Sequence, residues 1–259
     1  MTVRMKNWIK KVVLGTSVFR RPSVAYCTNH GLLPEVLTRT PAVEVRALLF
    51  LPGSSHKTQL NQDIFALLVN RFRSGYFLEI GANDGFTLSN TVYLEEHFGW
   101  TGLLIEANPQ YSSSLNMRTA KSVISAIVVE EGNYEFCSAG LYGGIKDTLD
   151  NKHDPKLRDA KWITVRGARL DRVLAENDVP ELINFVSIDV EGAEVEIVRQ
   201  MCSLRKHKIL CGCIEHNGRE DDYQIIERLL NASGYLIVWK RQTSHDLFFI
   251  HNELVAGSV

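Results

Sequence analysis

The stretch Tyr76-Phe77-Leu78-Glu79-Ile80-Gly81-Ala82-Asn83-Asp84-Gly85 decides the fold of this chain. Its first five residues are aromatic or branched around one acid, a pattern typical of a short, buried parallel strand. The sequence predicts a helix from Phe86 to Phe98, so the stretch reads as a strand, a glycine turn and a helix. The free backbone N–H groups of such a helix can bind an anion, and Gly81 and Gly85 permit backbone angles or close ligand approach that a Cβ would obstruct.

The spacing around the glycines favours one class of ligand. A dinucleotide turn follows G-x-G-x-x-G, whereas this chain has Asn83 in place of the second glycine and carries Glu79 two residues before Gly81. This pattern suits a ligand with a carboxylate and an ammonium group. The turn can hold the carboxylate, and Glu79 can hold the ammonium directly or through water. S-adenosylmethionine is such a ligand.

A second acid ends the next predicted strand, Gly102-Leu-Leu-Ile-Glu106. A carboxylate at that edge of the sheet can accept hydrogen bonds from both hydroxyls of a ribose. A solvated acid at a strand end is the alternative for Glu106. Its position one strand after the glycine turn favours the ribose-binding role.

Size and composition indicate one α/β domain with an appendage, and we expect that domain to be catalytic. The chain has 259 residues, 45% of them hydrophobic and 23% charged. We expect a basic N-terminal extension and irregular connection over residues 1–55 and an α/β domain over 56–259. A net charge of -1 gives no reason to expect nucleic acid as a partner. No apolar run is long enough to predict a transmembrane segment.

Residues 1–30 contain six basic residues and no acid, which fits a solvated extension, a transit peptide or a membrane-surface helix. The extension is favoured, because Lys10 and Lys11 interrupt the apolar residues. The five cysteines form no disulfide framework and no zinc-ligand spacing. Together these features predict a cytoplasmic protein, with targeting through the basic N-terminus as the alternative.

The rest of the chain alternates strands with helices. A helix is predicted from His56 to Arg73, and strands are predicted at residues 122–129, 134–137, 162–166, 182–189 and 209–214. Two final strands, residues 235–239 and 247–251, have no helix between them. The pattern predicts a Rossmann-like α/β fold, with helices on both faces of a mostly parallel sheet that ends in an antiparallel edge strand.

Four motifs in order resemble those of the FkbM-type methyltransferases, a branch of the class I S-adenosylmethionine-dependent enzymes. They are Phe77-Leu-Glu-Ile-Gly-Ala-Asn-Asp-Gly85, Leu88-Ser-Asn-Thr91 with Leu94-Glu95, Trp100-Thr-Gly-Leu-Leu-Ile-Glu-Ala-Asn-Pro109, and Ser187-Ile-Asp-Val-Glu-Gly-Ala-Glu194. The resemblance spans about residues 60–252. It implies a seven-stranded sheet and methyl transfer to an oxygen, most often a hydroxyl of a small molecule or sugar.

The resemblance also implies a set of cofactor-binding residues. They are Glu79, Gly81, Ala82, Asn83 and Gly85 at the methionine-binding turn, Glu106 and Ala107 at the ribose, Ser125 and Ala126 near the adenine, and Asp189. Many Mg²⁺-dependent members of the class carry further acids after the next strand, whereas this chain has Glu215-His216. We therefore expect no metal.

Methyl transfer from a sulfonium is an in-line displacement, so the protein must align the reactants and remove a proton from the acceptor. His216 follows a buried strand, at the edge where open α/β sheets place their active sites, and is the predicted base. A histidine bonded to a loop is the alternative. Asp189 is predicted to orient the cofactor or the acceptor. Glu191 has either a catalytic role or a role at the start of the following helix.

Three classes of function fit the sequence. A methyltransferase leads, and a nicotinamide-dependent oxidoreductase is disfavoured because G-x-G-x-x-G is absent. A catalytically silent adaptor or binding protein that retains the fold is the main alternative.

Overall fold

The structure is a computed structural model that describes residues 58–149, 157, 160–239 and 245–256. The predicted extension over residues 1–55, with its basic run, lies outside these residues. The strands are β1 Tyr76–Ile80, β2 Thr101–Glu106, β3 Lys121–Ile124, β4 Ala126–Ile127, β5 Gly132–Ser138, β6 Gly144–Ile145, β7 Lys161–Ala168, β8 Leu182–Ile183, β9 Phe185–Ile188, β10 Lys208–Ile209, β11 Cys211–Glu215, β12 Tyr235–Val238 and β13 Asp246–His251.

The described helices alternate with the strands. They are α1 Gln62–Val69, α2 Val92–Phe98, α3 Ser112–Leu115, α4 Leu170–Glu176, α5 Glu194–Cys202, α6 Glu220–Ala232 and α7 Glu253–Ala256, with 3-10 turns at Pro109–Tyr111 and Gly140–Tyr142. None of the helices in this part of the chain is long and apolar enough to cross a membrane.

Seven strands form the central sheet in the order β12-β13-β11-β9-β1-β2-β3. The α/β fold with a mostly parallel sheet is confirmed. The antiparallel strand is β13, which pairs with β11 on one side and with the outermost strand β12 on the other. Helices cover both faces: one core includes buried residues of α4, α5 and α6, and the other includes those of α1.

A second sheet of four strands, in the order β4-β7-β5-β6, adds to the central one. The sequence predicts one strand over residues 122–129, but the strand is interrupted at Ser125. The backbone N–H of Ser125 donates to the carbonyl of Glu106 at 2.8 Å. The two halves consequently join different sheets. Hydrophobic periodicity does not reveal this change, because both halves are apolar.

The helix predicted to start at Phe86 starts instead at Val92. The Asp84 carboxylate accepts hydrogen bonds from the backbone N–H groups of Phe86 and Thr87, at 2.8 and 2.6 Å, and Leu88 has a left-handed φ of 58°. These contacts hold residues 84–91 as successive turns. The prediction of an anion site at a helix N-terminus beside the glycine turn is therefore wrong.

Candidate active site

The pairing register brings the ends of several parallel strands to one edge of the sheet. Ile80 of β1 lies opposite Ile105 of β2 and Ile188 of β9, so the residues that follow these strands lie close together. Ile188 also pairs with Ile214 of β11, and Glu215 pairs with Asp246 of the antiparallel strand β13. Five segments that are distant in sequence therefore meet where open α/β sheets bind ligands.

A cavity that opens to solvent lies at this edge, between the central sheet and the second sheet. Apolar side chains from both sheets line it, including Ile105, Phe136 and Ile145. Seven of the predicted cofactor-binding residues also line it: Gly81, Asn83, Glu106, Ala107, Ser125, Ala126 and Asp189. The cavity has the mixture of apolar and polar groups typical of a small-molecule site.

Glu106 is buried and anchors the turn that follows β1. One carboxylate oxygen accepts a hydrogen bond from the backbone N–H of Asn83 at 2.7 Å, and the other accepts one from the N–H of Asn108, also at 2.7 Å. Burial raises the pKa of Glu106, and these hydrogen bonds oppose that rise. Each oxygen retains acceptor capacity, so the carboxylate can hold ribose hydroxyls while fixing the turn.

Two residues of the turn, Gly81 and Asn83, line the cavity. Gly81 has a φ of 87°, in the left-handed region that favours glycine. The Oδ1 atom of Asn83 is buried and has no hydrogen-bond partner among the described residues. A buried acceptor of this kind is normally satisfied, and a ligand in the cavity would satisfy it. These residues fit the cofactor that the turn predicts.

Three of the predicted cofactor residues do not line this cavity. Glu79 and Ala82 line an adjoining cleft. Gly85 lines neither the cavity nor the cleft. A Cβ on Gly85 would lie 3.1 Å from the Leu115 side chain, so this glycine permits close packing against α3. Its φ of 80° also favours glycine.

Glu79 is almost fully buried against the segment that follows the turn. It accepts hydrogen bonds from the Ser89 hydroxyl at 3.0 Å, the Asn90 backbone N–H at 2.8 Å and the Thr91 hydroxyl at 2.5 Å. Burial raises the pKa of Glu79, and the nearby charge of Arg118 opposes this. Glu79, which the sequence predicts to bind the ammonium group of the cofactor, therefore anchors residues 89–91 in this structure.

The adjoining cleft also opens to solvent. It shares five residues with the cavity: Gly81, Asn83, Leu141, Asp189 and Glu191. The carboxylate residues that line the cleft are Glu79, Asp189, Glu191, Glu215 and Asp246, and no lysine or arginine lines it within the described ranges. The described lining of the cleft is therefore rich in acidic side chains.

Three of these acids form a compact group. One carboxylate oxygen from each of Asp189, Glu191 and Glu215 lies within 4.8 Å of the others, a spacing that could hold a cation. Asp189 is exposed to the cleft, whereas Glu191 and Glu215 are half-buried. Loss of hydration around its carboxyl group and the hydrogen-bonded, negatively charged Glu215 raise the pKa of Asp189 well above its usual range. Burial also raises the pKa of Asp246 to about 6.

The turn after β9 presents Glu191 to both spaces. Glu191 and Gly192 have φ values of 59° and 127°, and α5 begins only at Glu194. The buried Glu194 carboxylate accepts from the N–H groups of Val190 and Gly192 and pairs with Arg219 at 3.0 Å. Glu194 therefore supports the turn, and the alternative of Glu191 starting the helix is wrong.

His216, the predicted base, lies outside the crevice. Its ring is 6% exposed, packs edge-on against Tyr223 at 5.2 Å, and is among the lining residues of neither the cavity nor the cleft. Neither ring nitrogen has a hydrogen-bond partner in the described part of the chain. Burial lowers the pKa of His216, which favours the neutral form. The backbone continues past Glu215 in a direction that turns this side chain into the core.

Sequence reasoning left the roles of several residues unassigned. Glu215 and Asn217 line the cleft, and Asn217 donates hydrogen bonds to Glu191 at 3.3 Å and to Glu215 at 3.2 Å. Ser89, Asn90 and Leu141 also line it. The motif Leu88-Ser-Asn-Thr91 and the position of Glu215 after a predicted strand were signals in the sequence, but the contact of the motif with Glu79 depends on how the chain folds back.

Comparison with protein families gives one match. A family model described as the methyltransferase FkbM domain matches residues 79–237, more than half of the chain. The matched segment contains the glycine turn, Glu106, the turn after β9 and the strand that leads to Glu215. No curated protein matches the sequence of this chain.

Several solved structures are distantly similar to this chain. Aeropyrum pernix fibrillarin with natively bound S-adenosyl-L-methionine shares 12% identity at a TM-score of 0.40, over 73% of this chain and 76% of that chain. Cofactor-bound Rv0187 from MTB shares 13% identity at 0.40, over 96% of each chain. Precorrin-6y C5,15-methyltransferase from Geobacter metallireducens shares 14% identity at 0.37, over 71% and 75%. Similarities at this level carry no argument about function.

Proposed function

Because the chain belongs to the methyltransferase FkbM domain family, we propose that it transfers the methyl group of S-adenosylmethionine to a hydroxyl oxygen of a small molecule or sugar. The family accounts for the methyltransferase activity and for the cofactor. The acceptor class and the residue roles are inferred from the cavity and the cleft.

The observation that carries the proposal is that the cavity and the cleft share one wall. Gly81, Asn83 and Asp189 line both spaces. The cavity suits the nucleoside part of the cofactor, with Glu106 at its ribose and Ser125 and Ala126 near its adenine. A ligand held there would present its methionine end to the shared wall, and an acceptor in the cleft would approach from the other side. Such an arrangement supplies the alignment that in-line displacement requires.

The charge of the cleft favours an acceptor without negative groups. Five lining carboxylates, with no described lysine or arginine among them, repel phosphates and carboxylates. The exposed side chains of Leu88, Leu141 and Tyr142 add apolar surface to the same cleft. A neutral molecule with hydroxyl groups and an apolar portion matches both features. A nucleic acid, with one phosphate per nucleotide, does not.

Asp189 is the residue to which we assign proton transfer. Bound S-adenosylmethionine would supply an electrophilic methyl group on a sulfonium sulfur. The acceptor oxygen would bond to the methyl carbon as the carbon–sulfur bond breaks and its electron pair stays on sulfur, and the acceptor would lose its proton. A carboxylate whose pKa is raised by loss of hydration and by Glu215 is a stronger base than an ordinary one. Glu191 and Glu215 lie close enough to orient the acceptor hydroxyl or to share the proton.

A titration calorimetry experiment tests the cofactor, and a transfer assay tests the acceptor. The protein should bind S-adenosylmethionine and should not bind NAD. With a radiolabelled methyl group, uncharged hydroxyl compounds should become labelled, whereas RNA and sugar phosphates should not. Failure to bind the cofactor would overturn the methyltransferase assignment, and labelled RNA would overturn the acceptor class. Cofactor binding without transfer to any compound would favour the catalytically silent alternative.

A further inference from the structure

We propose that Arg118 is a positioning residue for methyl transfer, because its buried guanidinium holds the segment Gly85–Thr91 against Glu79 and so shapes the wall of the cleft. This inference rests on the proposed function. Arg118 lies outside the motifs that define the glycine turn and does not line the cavity or the cleft. It follows α3, behind the wall that the segment forms.

The guanidinium makes contacts at both ends of that segment. It donates to the backbone carbonyl of Gly85, to the Ser89 hydroxyl at 3.3 Å and to the Thr91 hydroxyl at 3.1 Å. Its charge is balanced by Glu95, whose carboxylate lies 2.9 Å from Nη2. The side chain of Arg118 is 1% exposed and that of Glu95 is 7% exposed, so solvent screens this pair very little.

The direction of the hydrogen bonds gives Arg118 its effect on Glu79. A hydroxyl group has one proton, and a hydroxyl that accepts from arginine directs its own proton elsewhere. The hydroxyls of Ser89 and Thr91 both accept from Arg118, and both donate to the same oxygen of Glu79, at 3.0 and 2.5 Å. Arg118 therefore orients two donors toward Glu79 and also attracts its charge from behind.

The segment that is held in this way forms part of the site. Ser89 and Asn90 line the cleft beside Glu79, and the Asn90 amide donates to the Ser187 hydroxyl of β9 at 2.9 Å. Without Arg118, the hydroxyls of Ser89 and Thr91 lose their orientation toward Glu79, and the two ends of the segment are no longer linked through one guanidinium. The methionine-binding side of the turn should then loosen, while the ribose contact at Glu106 should remain.

A double-mutant cycle tests this proposal. The affinity for S-adenosylmethionine is measured by calorimetry in wild type, Arg118→Met, Glu79→Gln and the double variant. We expect Arg118→Met to weaken binding at least about tenfold in the wild-type background and by less than about threefold in the Glu79→Gln background, because coupled neighbours are non-additive. Arg118→Lys, which keeps the charge, should restore part of the affinity.

Asn70→Ala is the matched control for a general loss of stability. Asn70 is buried, donates to the carbonyls of Ala66 and Asn184, and lies at the opposite end of the sheet from the cleft. Its removal should lower the melting temperature without changing cofactor affinity. If Arg118→Met fails to fold, Thr91→Val removes one of the oriented hydroxyls with little change in shape and should weaken binding in the same direction.

The outcomes separate the two proposals. Wild-type protein that does not bind S-adenosylmethionine contradicts the proposed function. If wild type binds, then unchanged affinity in Arg118→Met, or in Thr91→Val where the former does not fold, overturns the positioning role. Equal losses in both backgrounds of the cycle would overturn it too, because Arg118 would then act independently of Glu79.

Discussion

The backbone carbonyl oxygen of Asp189 lies 1.6 Å from the position that a Cβ on Gly81 would occupy. The two residues follow neighbouring parallel strands, and the Asp189 N–H donates to the carbonyl of Ile80 at 3.0 Å. The close approach holds the glycine turn and the acid after β9 in one fixed arrangement. It also makes the first glycine of the turn a steric requirement of the fold, in addition to any contact with a ligand.

Gly81→Ala should therefore be strongly destabilising and should abolish cofactor binding. The new methyl group would overlap the Asp189 carbonyl, and the backbone would have to shift. Gly99→Ala is the control, because Gly99 also has a left-handed φ, 64°, but has nothing within 4 Å of its Cβ position. The control should cost about 1 kcal/mol of unfolding free energy. Thermal unfolding of both variants checks this, and similar losses would contradict it.

Glu106→Ala should weaken binding of S-adenosylmethionine by about 1.5 to 3 kcal/mol, the value of hydrogen bonds to a charged acceptor. Calorimetry measures the change, with circular dichroism to confirm that the fold is retained. Glu253→Ala, which removes an exposed acid that pairs with Lys208, is the control for altered charge. Unchanged affinity in a folded Glu106→Ala protein would exclude the ribose-binding role.

The affinity for S-adenosylmethionine should rise with pH through the raised pKa of Asp189. The pKa of this carboxyl is higher in the folded protein than in the unfolded chain. Its contribution to the unfolding free energy of the cofactor-free protein is therefore lost as the pH rises through the folded pKa. The sulfonium cation of the cofactor favours the ionised form of the Asp189 carboxyl, so binding releases up to one proton. Release of one proton raises the affinity by at most about tenfold per pH unit. Titrations across a pH series measure this.

Asp189→Asn is the variant that assigns the pH dependence. Without an ionisable group at this position, the slope of affinity against pH should flatten, and the cofactor-free protein should lose less stability at high pH. Turnover should fall by about 10²- to 10⁴-fold, the usual contribution of a base. If the Asp189→Asn variant keeps the wild-type slope, another carboxylate is responsible for the pH dependence.

His216→Phe should leave turnover within about threefold of wild type, because a buried ring outside the cleft cannot reach the acceptor proton. The aromatic replacement keeps the edge-on contact with Tyr223 and removes two buried nitrogens. Steady-state kinetics with a methylated acceptor measure the effect. A loss of about 10² or more with intact cofactor affinity would restore histidine as the base.

A protein that lacks residues 1–55 should bind S-adenosylmethionine within about twofold of the full chain, an energy difference below about 0.5 kcal/mol. The reason is that the turn, Glu106 and Asp189 all lie well beyond this segment. Calorimetry measures the affinity of both proteins for S-adenosylmethionine, and circular dichroism checks that the truncated protein keeps its helices. Loss of the fold on truncation would show that the segment belongs to the domain.

The sequence by itself determined the central strands, the cofactor and the family. Glu79, Gly81 and Glu106 lie within continuous motifs, and the spacing of an acid before two glycines is a local property that excludes a dinucleotide turn. The position of Asp189 directly after a buried strand was likewise enough to place it at the edge of the sheet where the cavity and the cleft lie. Parallel strands in one sheet end at a common edge, so a strand pattern alone predicts this convergence.

Only the tertiary structure decided which way the side chains face and what they contact. Glu79 meets residues 89–91 because Asp84 holds the chain in turns where periodicity predicts a helix. Glu215 enters the cleft and His216 enters the core, although they are adjacent in the sequence at the end of β11. Successive side chains at a strand end point to opposite sides, and only the packing of the neighbouring elements determines which side becomes the cleft.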